Sequence, residues 1–443
     1  MKDILLLGAG RSAPALIAYL RTQARIQGWQ LTIGDVAVDH LQDLALPGVV
    51  RLLALHLADE NRVQAEIKAA DLVISLLPAA LHPVVARWCL QYKKHLVTAS
   101  YVTPEIKALD EDARAAGLVF MMESGLDPGL DHMSAMAAIQ RIRLADGALT
   151  AFKSYTGGLV APGSDTNPWH YKFSWNPRNV ILAGQGTAVY LDQGQIKFIP
   201  YHQLFRRVTP LQVLSLGAFE GYANRDSLSY REAYGLTGIP TLIRGTLRRP
   251  GYCQAWHQLV LLGLTADDYV LAGSEHLTYR QFLEAFLPPA PAGQAWHQRV
   301  ADYLGLAPDG AEMRLIQWLE FPPEPILLKE ATPAQVLEKL LSSKWQLAPD
   351  DKDLVVMHHI LEYTAGGKPY RLTSSLAVIG DDARHTAMAR TVGLPAGILA
   401  KKIMLGQISQ RGVVIPTHPD IYEPVLAELS SLGIQFIEQE EEV

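Results

Sequence analysis

Ile4-Leu5-Leu6-Leu7-Gly8-Ala9-Gly10-Arg11-Ser12-Ala13 is the stretch from which the fold is read. A short apolar strand runs into a glycine turn, and a helical segment from Pro14 to Gln23 follows. A pyrophosphate needs backbone N–H groups at a helix N-terminus and no Cβ where the chain approaches it. Gly8 and Gly10 leave that room, Arg11 and Ser12 complete the turn, and the small Ala13 lets the helix pack closely on the strand. These five residues are the expected dinucleotide-binding turn. A glycine pattern of this kind is weak by itself, so its surroundings decide.

Working outward, strand-like and helix-like segments alternate over about the first 125 residues, the pattern of a parallel sheet covered by helices. Strands are expected at Ile4 to Leu7, Leu31 to Ile33, Leu72 to Leu76, Leu96 to Ala99 and Leu118 to Met122, with a further helix from Pro83 to Tyr92. Asp35 closes the second strand, where an acid accepts hydrogen bonds from the ribose hydroxyls of NAD and repels the extra phosphate of NADP. Either nucleotide remains open, with NAD favoured. Ser75, Leu76 and Leu77 end a later strand, and such strand ends line the cofactor crevice; plain core is the competing reading for the two leucines.

From Asp127 the texture changes to polar loops (Gly157 to Pro168, Ser174 to Asn179) and strand-like pieces at Ala151 to Tyr155 and Thr187 to Leu191. Short helices are expected to dominate from Leu211 to Leu341, with Leu287 to Gly293 as a connector. Two strands follow, Leu354 to Tyr363 and Tyr370 to Gly380, about the turn Gly366-Gly367. The tail from Thr386 to Val443 reads helix, strand, helix, and can pack back on the first domain; the acidic run Glu438 to Glu442 reads as a solvated terminus. The expected class is α/β: a Rossmann-type parallel-sheet domain (1–125, completed by 386–443), a mixed α/β substrate domain (126–210 with 342–385) and a small helical subdomain (211–341).

Composition narrows the partners. At 443 residues the chain exceeds the roughly 100 to 200 that one core usually serves. With 49% hydrophobic and 19% charged residues it reads as soluble and globular, and a net charge of -6 argues against nucleic acid. No apolar run reaches the ~20 residues needed to span a bilayer. Two cysteines, Cys89 and Cys253, build neither a disulfide framework nor a cysteine-rich metal site. A reducing cytoplasm fits, the N-terminus shows no targeting region, and no metal is expected.

Two further strand ends are unusually polar: Thr98-Ala99-Ser100-Tyr101, and Glu123-Ser124-Gly125-Leu126-Asp127-Pro128-Gly129-Leu130-Asp131-His132. His132 taken alone is more often a satisfied structural histidine than a catalyst. These motifs belong to a longer series: Asp71-Leu72-Val73-Ile74-Ser75-Leu76-Leu77-Pro78, Asn167-Pro168 with Tyr171-Lys172-Phe173-Ser174-Trp175, Asn224-Arg225-Asp226-Ser227, Leu242-Ile243-Arg244-Gly245-Thr246-Leu247-Arg248, and Thr391-Val392-Gly393-Leu394-Pro395. In order and spacing the chain resembles the glutamate-forming saccharopine dehydrogenases, also called saccharopine reductases, from end to end. The least familiar stretch runs from about Gly263 to Trp345.

The resemblance implies NAD(P)-dependent cleavage of saccharopine to glutamate and 2-aminoadipate 6-semialdehyde, or the reverse condensation of glutamate with the aldehyde, by a homodimer. It implies that Ser100, Tyr101, Asp127, Ser174, Arg225, Arg244 and Thr246 bind substrate, with Asp127 or Tyr101 available for proton transfer. Three carboxylates on the substrate suit the rigid guanidinium forks of Arg225 and Arg244; a structural salt bridge is the alternative for either. Two departures stand out: Thr156 replaces the usual cysteine, and Ala223 the usual proline of what reads as a loop. Reductive condensation in polyamine synthesis is a second enzyme reading, disfavoured because its cationic substrates want acidic pockets. A non-catalytic nucleotide-binding regulator is the reading from another class.

Overall fold

Strand Asp3–Leu7 lies inside a seven-stranded sheet, with Gln30–Asp35 and Val50–Ala54 on one side. Leu72–Ser75, His95–Thr98, Val119–Met121 and Gly412–Val414 follow on the other. Every neighbouring pair is parallel. The structure, a computed structural model, describes residues 1–289, 291 and 293–443, so Ala290 and Ala292 of the expected connector lie outside the described residues. The chain divides into two compact units: Met1–Ala148 with Thr364–Lys368 and Leu376–Glu441, and Leu149–Tyr363 with Pro369–Ser375 and Glu442–Val443.

In the first unit the strand order reverses between Asp3–Leu7 and Leu72–Ser75, which opens a crevice at the carboxyl ends of those two strands. The inner strands are buried on both faces, as parallel sheets require. Val50–Ala54 is a strand that the sequence reading left out; it is an edge strand with three half-buried residues and a weak alternation. The tail supplies helix Ala387–Met404, strand Gly412–Val414 and helix Pro419–Ser431, and its acidic end forms the exposed strand Ile437–Glu442 rather than a bare terminus. Helix Leu130–Leu144 packs on Pro419–Ser431 and belongs to this unit. It had been expected with the second domain, but a helix buried on nearly all its faces needs neighbours on every side.

Two glycines let helix Ala387–Met404 approach helix Pro14–Gln27. A Cβ on Gly393 would lie 2.8 Å from the Leu16 nitrogen, and one on Gly397 2.8 Å from the Tyr19 ring. Gly393→Ala therefore forces the two helices apart and is expected to destabilise the protein by about 1–3 kcal/mol, as overpacking does, read by urea denaturation. Denaturation unchanged by the substitution would contradict this packing. No helix among the described residues is long and apolar enough to cross a membrane.

The second unit is built on a mixed sheet ordered Thr209–Gln212, Ala218–Ala223, Thr241–Arg248, Ala148–Val160, Asp353–Ala365, Lys368–Ile379, with the hairpin Thr187–Asp192 and Gln195–Pro200 attached to Thr241–Arg248. Thr241–Arg248 runs parallel to Ala148–Val160 and antiparallel to Ala218–Ala223. Both Ala218–Ala223 and Thr241–Arg248 fall in the region expected to be mainly helical. Gly221 and Gly245 hide their strand character: the Tyr155 ring covers both, within 2.9 Å and 2.6 Å of where a Cβ would stand. Helices Tyr252–Leu261, Tyr279–Ala285, Trp296–Leu304, Ala311–Trp318 and Pro333–Lys344 share one apolar core with this sheet, centred on Trp169, Trp256 and Trp345. They form no separate core of their own.

Candidate active site

The glycine turn sits at the reversal point of the first unit's sheet. Gly8 has φ +93°, and a Cβ there would press to 3.1 Å on the Leu76 carbonyl, so the turn and the Leu76-Leu77 strand end lie against each other. A Cβ on Gly10 would meet nothing within 4 Å, so packing within the protein does not call for glycine there, whereas a ligand approaching the backbone would. Ala13 is fully buried immediately before helix Pro14–Gln27, while Gly10 and Arg11 are exposed and Ser12 half-buried. Asp35 anchors the turn: one carboxylate oxygen accepts from the Ala9 N–H at 2.6 Å and the other from the Ala37 N–H at 3.2 Å. Gly8, Asp35 and the Leu76-Leu77 strand end thus lie together at this switch point, where the open backbone at Gly10 fits a pyrophosphate, while Ala13 and Ser75 are fully buried.

The two polar strand ends follow the next strands at the same edge of the sheet. Tyr101 donates its hydroxyl hydrogen bond to Asp127 at 3.1 Å, so two of the expected substrate residues meet, with Asp127 half-buried and Tyr101 exposed. His132 is buried with Nε2 2.7 Å from the Glu123 carboxylate, whose other oxygen accepts from the Val102 N–H at 3.0 Å. It supports the shape of both loops.

Sequence reasoning missed His82, the first residue of helix His82–Gln91. Its Nδ1 lies 3.0 Å from the Ser75 hydroxyl; its Nε2 lies 2.8 Å from that of Ser100 and 3.2 Å from that of Thr98. Burial lowers its pKa to about 4, so the ring is neutral at ordinary pH. The one signal in the sequence is a polar ring opening a helix seven residues after a strand end.

In the second unit Arg244 and Thr246 point to one face of strand Thr241–Arg248, the period-two alternation a strand imposes. Arg244 is buried, with its guanidinium 4.2 Å above the Tyr230 ring. Its backbone N–H donates to the Ser227 hydroxyl at 2.9 Å, and its carbonyl accepts from the Asn224 N–H at 2.8 Å. The Asn224 side chain in turn accepts from the Thr246 hydroxyl at 2.8 Å, and Arg225 follows it, exposed. Arg244 and Thr246 are therefore both tied to Asn224, the chain neighbour of Arg225. Ser174 is buried, and its hydroxyl has no hydrogen-bond partner among the described residues. Thr156 pairs in register with Thr246, and its hydroxyl is likewise buried without one. Two such orphans are expensive unless a ligand or water satisfies them. Ala223 ends strand Ala218–Ala223 opposite Gly245, so the residue read as part of a loop is held in a sheet.

Comparison with known proteins carries these two clusters to a family. A model of the saccharopine dehydrogenase NADP binding domain matches residues 4–121, and one of the saccharopine dehydrogenase C-terminal domain matches residues 125–434. The chain belongs to the saccharopine dehydrogenase family. With membership comes an NAD(P)-binding domain over the parallel sheet. Rat mitochondrial alpha-aminoadipic semialdehyde synthase is 34% identical over 441 residues, covering 98% of this chain and 47% of that protein, so the chain spans about half the length of such relatives. Saccharopine dehydrogenase (NADP(+), L-glutamate-forming) of Saccharomyces cerevisiae is 31% identical over 434 residues, covering 97% of this chain and 96% of the yeast protein. The solved apo structure of the histidine-tagged yeast saccharopine dehydrogenase (L-Glu forming) superposes with a TM-score of 0.88 at 30% identity, over 100% of both chains.

Proposed function

We propose that the chain interconverts saccharopine with glutamate and 2-aminoadipate 6-semialdehyde, using NAD or NADP. The observation that carries this reading is the end-to-end match to the yeast enzyme, 100% of both chains; a buried arginine, the kind of group a carboxylate-rich substrate wants, supports it. The bound nucleotide supplies the hydride acceptor for the carbon beside the secondary amine. Gly8, Gly10, Arg11, Ser12, Ala13, Asp35, Ser75, Leu76 and Leu77 hold it. Arg225 and Arg244 neutralise substrate carboxylates, and Ser100, Ser174 and Thr246 offer hydroxyls. Asp127 is placed to hold the substrate's ammonium, with the Tyr101 phenol on its Oδ1 as the neighbouring proton donor. A cationic polyamine precursor would find Arg244 repulsive, which supports the tricarboxylate instead.

NAD is the favoured nucleotide. Asp35, fixed by two backbone N–H groups, puts a negative charge where the 2′-phosphate of NADP would come. The yeast relative is named for NADP(+), so the preference is tested on this chain itself. Calorimetric titration is expected to give tighter binding of NAD than NADP, and Asp35→Ala to narrow the ratio about tenfold or more. Equal affinities in the unaltered protein would sink the preference. The function itself is tested by adding saccharopine to protein and nucleotide and following reduction of the nicotinamide.

A further inference from the structure

Ser75 and Ser100 belong to different strand ends and, in the reading above, to different ligands. One buried side chain joins them. His82 is 1% exposed, and its hydrogen-bond partners are the three hydroxyls of Ser75, Ser100 and Thr98, with no carboxylate among them. Ser75 and Thr98 are themselves fully buried. Two of the three therefore have no water to fall back on, and the imidazole decides how their hydroxyls point.

A neutral imidazole has one nitrogen that donates and one that accepts. Whichever tautomer is present, the hydroxyl on one side must donate to the ring and the hydroxyl on the other must accept from it. The orientation of Ser100 is thus tied to that of Ser75 across a rigid ring. Ser100 alone of the three is only half-buried, so it stands at the open end of this network. The Ser100 N–H adds a second tether, donating to Thr98 Oγ1 at 3.3 Å.

We infer that His82 is a positioning residue, which fixes the Ser100 hydroxyl for the substrate by bridging it to Ser75 at the nucleotide edge of the sheet. The inference rests on the proposed function for the identity of the substrate, and on the hydrogen-bond geometry alone for the bridge. The ring works through Ser100 and does not itself take part in the chemistry. A depressed pKa keeps it neutral and so preserves the one-donor, one-acceptor arrangement throughout the neutral range.

The test is a double-substitution cycle on the full chain. His82→Ala and Ser100→Ala are each expected to lower kcat/KM for saccharopine about tenfold, mainly through KM, and the double variant to be no worse than Ser100→Ala alone. Fully additive losses, or His82→Ala within about twofold of the parent, would overturn the inference. If His82→Ala fails to fold, His82→Gln and His82→Asn decide: an amide at the end of glutamine reaches toward Ser100, whereas that of asparagine reaches only toward Ser75. Glutamine is expected to restore activity and asparagine not; equal activity at equal melting temperature would contradict the role. Nitrogen-15 NMR of the imidazole needs no substrate: the Nε2 signal is expected to move in Ser100→Ala, and an unmoved signal would remove the bridge. A parent protein inactive on saccharopine with the NMR signature present would defeat the functional reading and leave the bridge standing.

Discussion

Arg244→Ala is expected to lower kcat/KM for saccharopine by about a hundredfold or more, with dinucleotide affinity unchanged within about twofold. Two charge-assisted hydrogen bonds to a carboxylate contribute about 1.5–3 kcal/mol each, and every 1.4 kcal/mol is tenfold in rate or affinity. The strand should survive the change, because the backbone N–H and carbonyl of residue 244 keep their hydrogen bonds to Ser227 and Asn224. Arg244→Lys keeps the charge and loses the planar fork, so it should recover only part of the loss. Steady-state kinetics with a melting curve on each variant separates function from folding. Unchanged KM and kcat in a folded Arg244→Ala protein would take this arginine out of the substrate site and leave its stack on Tyr230 as a purely structural contact.

Gly10→Val should produce the other large effect, and a cleaner one. Gly10 lacks a positive φ, and a Cβ there meets no described atom within 4 Å, so the apoprotein should melt within a few degrees of the parent, roughly what a tolerated surface substitution costs. A branched side chain in the space proposed for a pyrophosphate should nevertheless weaken dinucleotide binding about a hundredfold or more. Gly8→Val differs: φ +93° and the Leu76 carbonyl at 3.1 Å make that substitution costly to the fold itself. Calorimetric titration of Gly10→Val that returned the parent affinity would place the nucleotide elsewhere.

Much of the first unit was legible because its signals are local. Four apolar residues, two glycines and an acid closing the next strand are fixed by what a parallel strand and a phosphate turn require, and the structure has them at the reversal of strand order. The second unit was harder. Thr241–Arg248 carries Arg244 and Thr246 on one face, an alternation visible in the sequence, yet Gly245 breaks it because the Tyr155 ring occupies the space its side chain would take. Helix Leu130–Leu144 gives no amphipathic stripe to say which unit it joins, since burial surrounds it. His82 was illegible for a different reason: its partners lie 7, 16 and 18 residues away, and only the sheet brings Ser75, Thr98 and Ser100 to one ring. The family motifs pointed to Ser100 and Arg244 directly, but they gave no hint of what holds those residues in place.

The central claim is that this chain oxidises saccharopine with a nicotinamide nucleotide held at Gly8, Gly10 and Asp35. The most direct measurement follows nicotinamide absorbance on adding saccharopine to the protein with NAD or NADP, and identifies the products. Saccharopine-dependent reduction, with glutamate and 2-aminoadipate 6-semialdehyde formed in equal amounts and lost in Arg244→Ala, is the predicted result. A protein that binds the nucleotide tightly yet reduces none of it in the presence of saccharopine would contradict the account.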